Sequence, residues 1–222
     1  MSTDRTTDLA RLEAESAKVR ALVAATQHRV RNTLAVIRSI ARRSAETSDS
    51  VEEYAAHLDG RIGAFARIQG ALLHDPDAGL ALDTLVSNAL LSVVAREGKR
   101  WTLDGPTVTL KAKTAEPMGL ALHELATNAV KFGALSWPRG RITVSWRLVD
   151  GVGAEGAPRL VLTWVETGAP ETPLAERRGF GIEMLEKTIA YELGAETVVD
   201  FTPEGVICRI ALPLNAVHPL VS

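Results

Sequence analysis

Glu124, Asn128 and Lys131 stand four and three residues apart in the stretch His123-Glu124-Leu125-Ala126-Thr127-Asn128-Ala129-Val130-Lys131-Phe132-Gly133. On a helix that spacing puts a carboxylate, an amide and an ammonium on one stripe, with Met118, Leu122, Leu125 and Ala129 turned toward a core. Hard oxygen donors suit Mg²⁺ and an ammonium suits phosphate, so the stripe fits a metal-bound nucleotide. A solvated polar helix face would show the same spacing. Asn128 is the candidate Mg²⁺ ligand, through its side-chain oxygen. Lys131 is the candidate for neutralising phosphate charge.

His28 is a candidate nucleophile. From Thr7 to about Ala45 the chain has no Gly or Pro, and Leu12, Val19, Leu22, Val23, Val30, Leu34, Ile37 and Ile40 recur with the helical period. Relative to that stripe, at about 100° per residue, His28 points roughly 180° away, beside Asn32 and Ser39. A neutral imidazole there is a competent nucleophile near neutral pH and is open to a second domain. An ordinary surface histidine would occupy the same position.

Three further segments matter: His28-Arg29-Val30-Arg31-Asn32, Trp164-Val165-Glu166 followed by Gly168-Ala169-Pro170, and Gly179-Phe180-Gly181. Together with residues 123–133 they resemble, in order, the motifs of the HWE subfamily of sensor histidine kinases. These are the phospho-acceptor box, the N box, the Trp-x-Glu signature and the second glycine box. The resemblance runs from about residue 20 to residue 212.

The resemblance implies a histidine kinase core that phosphorylates His28 from Mg²⁺-ATP and hands the phosphoryl group to a receiver-domain aspartate of a response regulator. Many histidine kinases carry an acid directly after the histidine. Here Arg29 follows, so the carboxylate that assists proton loss must come from elsewhere, and Glu124 is the choice. Glu166 would accept a hydrogen bond from the adenine amino group, with Gly168 letting backbone approach the base. Gly179 and Gly181 would do the same for phosphates at a helix start. His123 is the subfamily's hallmark histidine; a contact lining the nucleotide and a structural hydrogen bond both remain open. Phe132 stands where Tyr is frequent, which keeps the ring and loses the hydroxyl. Ala169 replaces a frequent Gly.

These residues need elements to hold them. The long first helix and a second, opened by the capping box Ser50-Val51-Glu52-Glu53 and ended at His74-Asp75-Pro76-Asp77, form a helical hairpin, residues 1–78. Two helices bury little, so a homodimer forming a four-helix bundle is expected. Residues 79–215 read as an ATP-binding domain and 216–222 as a tail. The domain's predicted helices cover Leu82–Arg96, Thr114–Phe132 (Thr114 as cap, Gly133 as stop) and Ile182–Leu193. Its predicted strands cover Arg100–Leu103, Thr107–Lys111, Arg141–Val149, Arg159–Glu166, Glu196–Phe201 and Val206–Leu212. The class is α+β with an α/β two-layer sandwich. The resemblance narrows the sandwich to the ATP-binding fold shared by histidine kinases, gyrase-type ATPases and Hsp90-type chaperones.

Composition sets outer limits. A net charge of −2 makes no electrostatic case for nucleic acid or an anionic membrane. The one cysteine, Cys208, excludes an internal disulfide and a multi-cysteine metal site, and reads as a small strand residue. No run of 18 apolar residues and no apolar leader core exist, which fits a bacterial cytoplasmic protein. With only about 20 residues before the acceptor box, no sensor domain is expected in the chain. Two rivals compete. A histidine phosphotransferase relay without ATP binding would have lost Asn128, Glu166, Gly179 and Gly181. An anti-sigma-type Ser/Thr kinase on the same fold would lack the hairpin and its histidine.

Overall fold

The computed structural model describes residues 2–74, 79–93, 100–150, 158–168 and 189–218, with backbone alone at 2–10, 74 and 192. The chain divides into two compact units, Met1–Leu58 and Asp59–Ser222. The division falls inside the second helix, whose C-terminal half belongs to the sheet-bearing unit.

In the first unit, helix α1 runs Ser2–Glu46. Two hydroxyls take carbonyls at its end: Thr47 Oγ1 donates to Arg43 O (3.0 Å) and Ser48 Oγ to Ser44 O (2.7 Å). Helix α2, Val51–His74, starts at the predicted capping box. The Glu53 N–H donates to Ser50 Oγ at 3.1 Å, and the Glu53 carboxylate reaches back to the Asp49 N–H at 3.1 Å, one residue before the cap.

The second unit starts with the remainder of α2, which buries Ala64, Phe65, Ile68 and Leu72. Strand β1 (Leu80–Ala81), helix α3 (Leu82–Val93), β2 (Trp101–Asp104), β3 (Thr109–Leu110), helix α4 (Ala112–Lys131), β4 (Arg141–Val149) and β5 (Arg159–Thr167) follow. The described part ends with α5 (Ala190–Leu193), β6 (Glu196–Thr202) and β7 (Gly205–Pro213). The main sheet has the order β2-β4-β5-β7-β6, with β2 parallel to β4 and every other pair antiparallel. Alternation turns Ile142, Val144 and Trp146 of β4, Leu160, Leu162 and Trp164 of β5, and Cys208, Ile210 and Leu212 of β7 into one core. Helices α3 and α4 supply the other layer, through Leu85, Leu90, Met118, Leu122 and Leu125 among others.

Several expectations shift. Helix α4 starts two residues before Thr114, which lies inside the first turn. Tertiary anchoring sets the start: Lys111 N donates to Ala216 O at 3.1 Å, and Lys111 O accepts from Thr114 N and Ala115 N at 2.8 and 2.9 Å. Strand β3 pairs with β1, outside the main sheet. Ala216 and Val217, read as the start of a tail, are buried against the core. Helix 182–193 is described only over Ala190–Leu193, closed by Gly194 at φ +61°.

Candidate functional site

The α4 stripe exists as a graded one. Glu124 is buried, Asn128 half-buried and Lys131 exposed. The register explains the grading: the helix enters under the sheet and α2 and emerges at its C-terminal end.

Glu124 is held fast. The Arg61 guanidinium, from α2, donates Nε to Oε1 at 2.7 Å and Nη2 to Oε2 at 3.0 Å. Both residues are 6% exposed, so this is a desolvated bidentate pair. Arg61 was not singled out from the sequence. Its partner lies 63 positions away, and an arginine on a helix carries no mark of an acid that folding brings to it. Next to Glu124, His123 is 7% exposed. Its Nδ1 lies 3.5 Å from Ser92 Oγ. It lines a small cavity with Ala64, Arg67, Leu85 and Asn88, between α4 and elements α2 and α3. A Cβ on Gly60 would come within 3.3 Å of its Nε2. Burial lowers its pKa below the usual histidine value; Arg67 and Arg61 act the same way, and the Glu124 charge opposes.

At the other end of α4 the backbone turns toward Glu166. Phe132 N and Gly133 N both donate to Asn128 O, at 2.8 and 3.0 Å. The next N–H, of Ala134, donates to Glu166 Oε2 at 2.9 Å. Glu166 Oε1 accepts the indole N–H of Trp164 at 3.0 Å. This explains the Trp-x-Glu spacing: residues i and i+2 of a strand share a face, so the indole can hold the carboxylate. Glu166 thus ends the inward row Leu160, Leu162, Trp164 with a carboxylate, and is 4% exposed.

Glycines surround it. A Cβ on Gly133 would lie 2.1 Å from Glu166 Oε2, and one on Gly205 would lie 1.9 Å from Glu166 O. Gly168, at φ +81°, passes within 3.2 Å of Gly140 Cα on the same measure. Gly133 was read as a helix stop. Its backbone angles, φ −108° and ψ −155°, are open to any residue, so what it supplies is room for Glu166. Gly133→Ala is therefore expected to lower stability by about 1–3 kcal/mol, through overpacking. Thermal unfolding checks this, with Gly194→Ala, a strained but uncrowded position, as the contrast.

Among the described residues no group of three or more His, Cys, Asp or Glu could hold a metal ion. Gly179 and Gly181 lie outside the described residues.

The first unit carries His28. Its ring is exposed, and Asn32 Nδ2 lies 3.2 Å from its Nε2. The apolar stripe of α1 is exposed along with it, Leu12 at 62%, Leu22 at 68% and Leu34 at 60%. Among the described residues no helix is long and apolar enough to cross a membrane.

Residues 25–107 match the family model described as HWE histidine kinase. A blue-light-activated histidine kinase of Brucella anthropi is 29% identical over 189 residues, which cover 85% of this chain and 38% of that protein. The protein of the same name from Brucella ovis is 29% identical over 188 residues, with the same shares. The chain therefore spans well under half the length of these relatives. Among solved structures, a blue-light activated histidine kinase of Erythrobacter litoralis matches with a TM-score of 0.58 at 23% identity, over 86% of this chain and 58% of that one. The histidine kinase domain of that protein gives a TM-score of 0.53 at 18% identity, over 80% and 96%. The resemblance to HWE-type histidine kinases rests on these matches as well as on the motifs, and the helical part followed by a mixed sheet is the fold these structures share.

Proposed function

We propose that this chain, similar as it is to HWE-type histidine kinases, is a histidine kinase core that uses ATP and Mg²⁺ to phosphorylate its own His28. The observation that carries the reading is the corner where the Asn128 end of α4 meets Glu166. There the last turn of α4, which carries Asn128 and Lys131, leads through Phe132 and Gly133 to the Ala134 N–H that holds Glu166 at the end of β5. Asn128 would hold Mg²⁺ and Lys131 would face phosphate. Glu166, fixed by Trp164 and Ala134, would accept a hydrogen bond from the adenine amino group. The ion, when bound, would neutralise charge on the phosphates. His123 supports α4 from the α2 side.

In the reaction, the Nε2 lone pair of His28 attacks the γ-phosphorus. The bond to the β,γ-bridging oxygen breaks and ADP leaves with that electron pair. The Nδ1 proton then leaves the ring, and Glu124 is the proposed acceptor. An aspartate of a receiver domain next attacks the phosphorus, and the P–N bond breaks. We place the reaction in the cytoplasm, where ATP is available. The exposed apolar stripe of α1 would be covered by a second copy of the chain.

The test is incubation of the purified chain with γ-labelled ATP and Mg²⁺. Label that is lost in acid and kept in alkali, and that drains to a receiver domain, is the expected result. Acid-stable label would place the phosphoryl group on a hydroxyl instead, and absence of label would remove the kinase reading.

A further inference from the structure

We propose that Arg100 is a positioning residue for the base end of the nucleotide site; this rests on the ATP reading above. Arg100 precedes β2, and its backbone carbonyl accepts from Ile142 N at 3.0 Å, which ties it to the sheet. Its guanidinium leaves the sheet and takes two carbonyls of the segment that follows α4. Nη1 donates to Trp137 O at 2.5 Å and Nη2 to Leu135 O at 3.0 Å. Nε is buried without a partner, and among the described residues no carboxylate pairs with the group. One guanidinium that takes two carbonyls ties this turn to the sheet edge in a fixed orientation. Its position says what it holds.

The turn it clamps is the one that carries the Glu166 contact. Residues Ala134–Ser136 form a single 3-10 turn, and Ala134 N–H bonds the carboxylate. Gly140, at the end of the same segment, would put a Cβ 1.7 Å from Ala134 O, so the segment closes on itself. Arg139 O then lies 2.9 Å from the Cβ position of Gly168, the residue expected to border the base. A fork with two donors fixes both the height and the rotation of the turn, which a single hydrogen bond would not. Losing the fork leaves Ala134 N–H and Gly168 free to drift by the fraction of an ångström that base recognition requires.

The experiment uses the full chain and its Arg100→Met and Arg100→Lys variants. Affinities for ATP and GTP are measured by competition, together with thermal unfolding and the rate of labelling at saturating ATP. The expected result for Arg100→Met is a folded chain with ATP affinity weakened about tenfold, the size of one lost charge-assisted hydrogen bond. GTP affinity changes little, so discrimination narrows. The saturated rate is retained, because Asn128, Lys131 and His28 are untouched; a merely structural residue would lower both. Arg100→Lys restores part of the discrimination, since an ammonium keeps the charge but not the fork. If Arg100→Met does not fold, Arg100→Lys carries the test by the same ratio. Unchanged ATP preference in a folded variant overturns the role of Arg100 alone. A parent chain without ATP affinity overturns the nucleotide reading and this inference with it.

Discussion

A His28→Ala chain is expected to take up no label from γ-labelled ATP, while its affinity for ATP stays that of the parent. The loss is complete because no other histidine offers what His28 offers. The chain has five. His57 is half-buried, with Nδ1 3.0 Å from Ser48 Oγ and Nε2 3.7 Å from Glu53. His123 is enclosed between helices. His218 packs against Gly79, where a Cβ would meet its Nε2 at 2.8 Å. His74 ends α2 and lies in no acceptor-like sequence. Among the histidines whose side chains are described, His28 alone combines an exposed ring, a helix without Gly or Pro behind it, and Asn32 one turn away. Asn32→Ala, which removes the amide 3.2 Å from the ring, is the milder companion: labelling persists but slows. Label remaining in His28→Ala would move the acceptor elsewhere.

The sequence made the elements legible and left their ties hidden, and particular residues show why. Strand alternation over 141–149 is local, so the inward row Ile142, Val144 and Trp146 of β4 reads directly from it. So does the Ser50 cap, since both partners lie within four positions. The Trp-x-Glu pair was legible as a signature but not as a bond; that Trp164 holds Glu166 follows only once both are known to face inward. Gly133 was assigned a conformational role, because glycine after a helix usually has one. The real constraint, room for a carboxylate 33 positions on, is tertiary. Arg61 and Arg100 were invisible for the same reason: neither the Glu124 carboxylate nor the carbonyls of Leu135 and Trp137 are near them in sequence. Local period predicts elements; the positioning groups come from contacts that period does not encode.

Arg61→Ala is expected to cost roughly 3–5 kcal/mol of stability. It leaves the Glu124 carboxylate buried at 6% exposure without the two donors that satisfy it. Glu124→Ala should cost a similar amount by stranding the guanidinium. The double variant Arg61→Met with Glu124→Leu should recover most of the loss, because apolar groups of similar size remove the desolvation of both charges. Chemical denaturation of the parent, Arg61→Met, Glu124→Leu and the double variant closes the cycle; additive losses would mean that the pair is not a unit. The same double variant separates the two roles that Glu124 could have. A folded chain that still labels His28 would make Glu124 an anchor of α2 to α4 and send the search for the proton acceptor elsewhere. A chain equally well folded, with ATP affinity intact and labelling lost, would leave Glu124 as both anchor and base. Arg61 would then have to share the carboxylate with the His28 proton during the reaction.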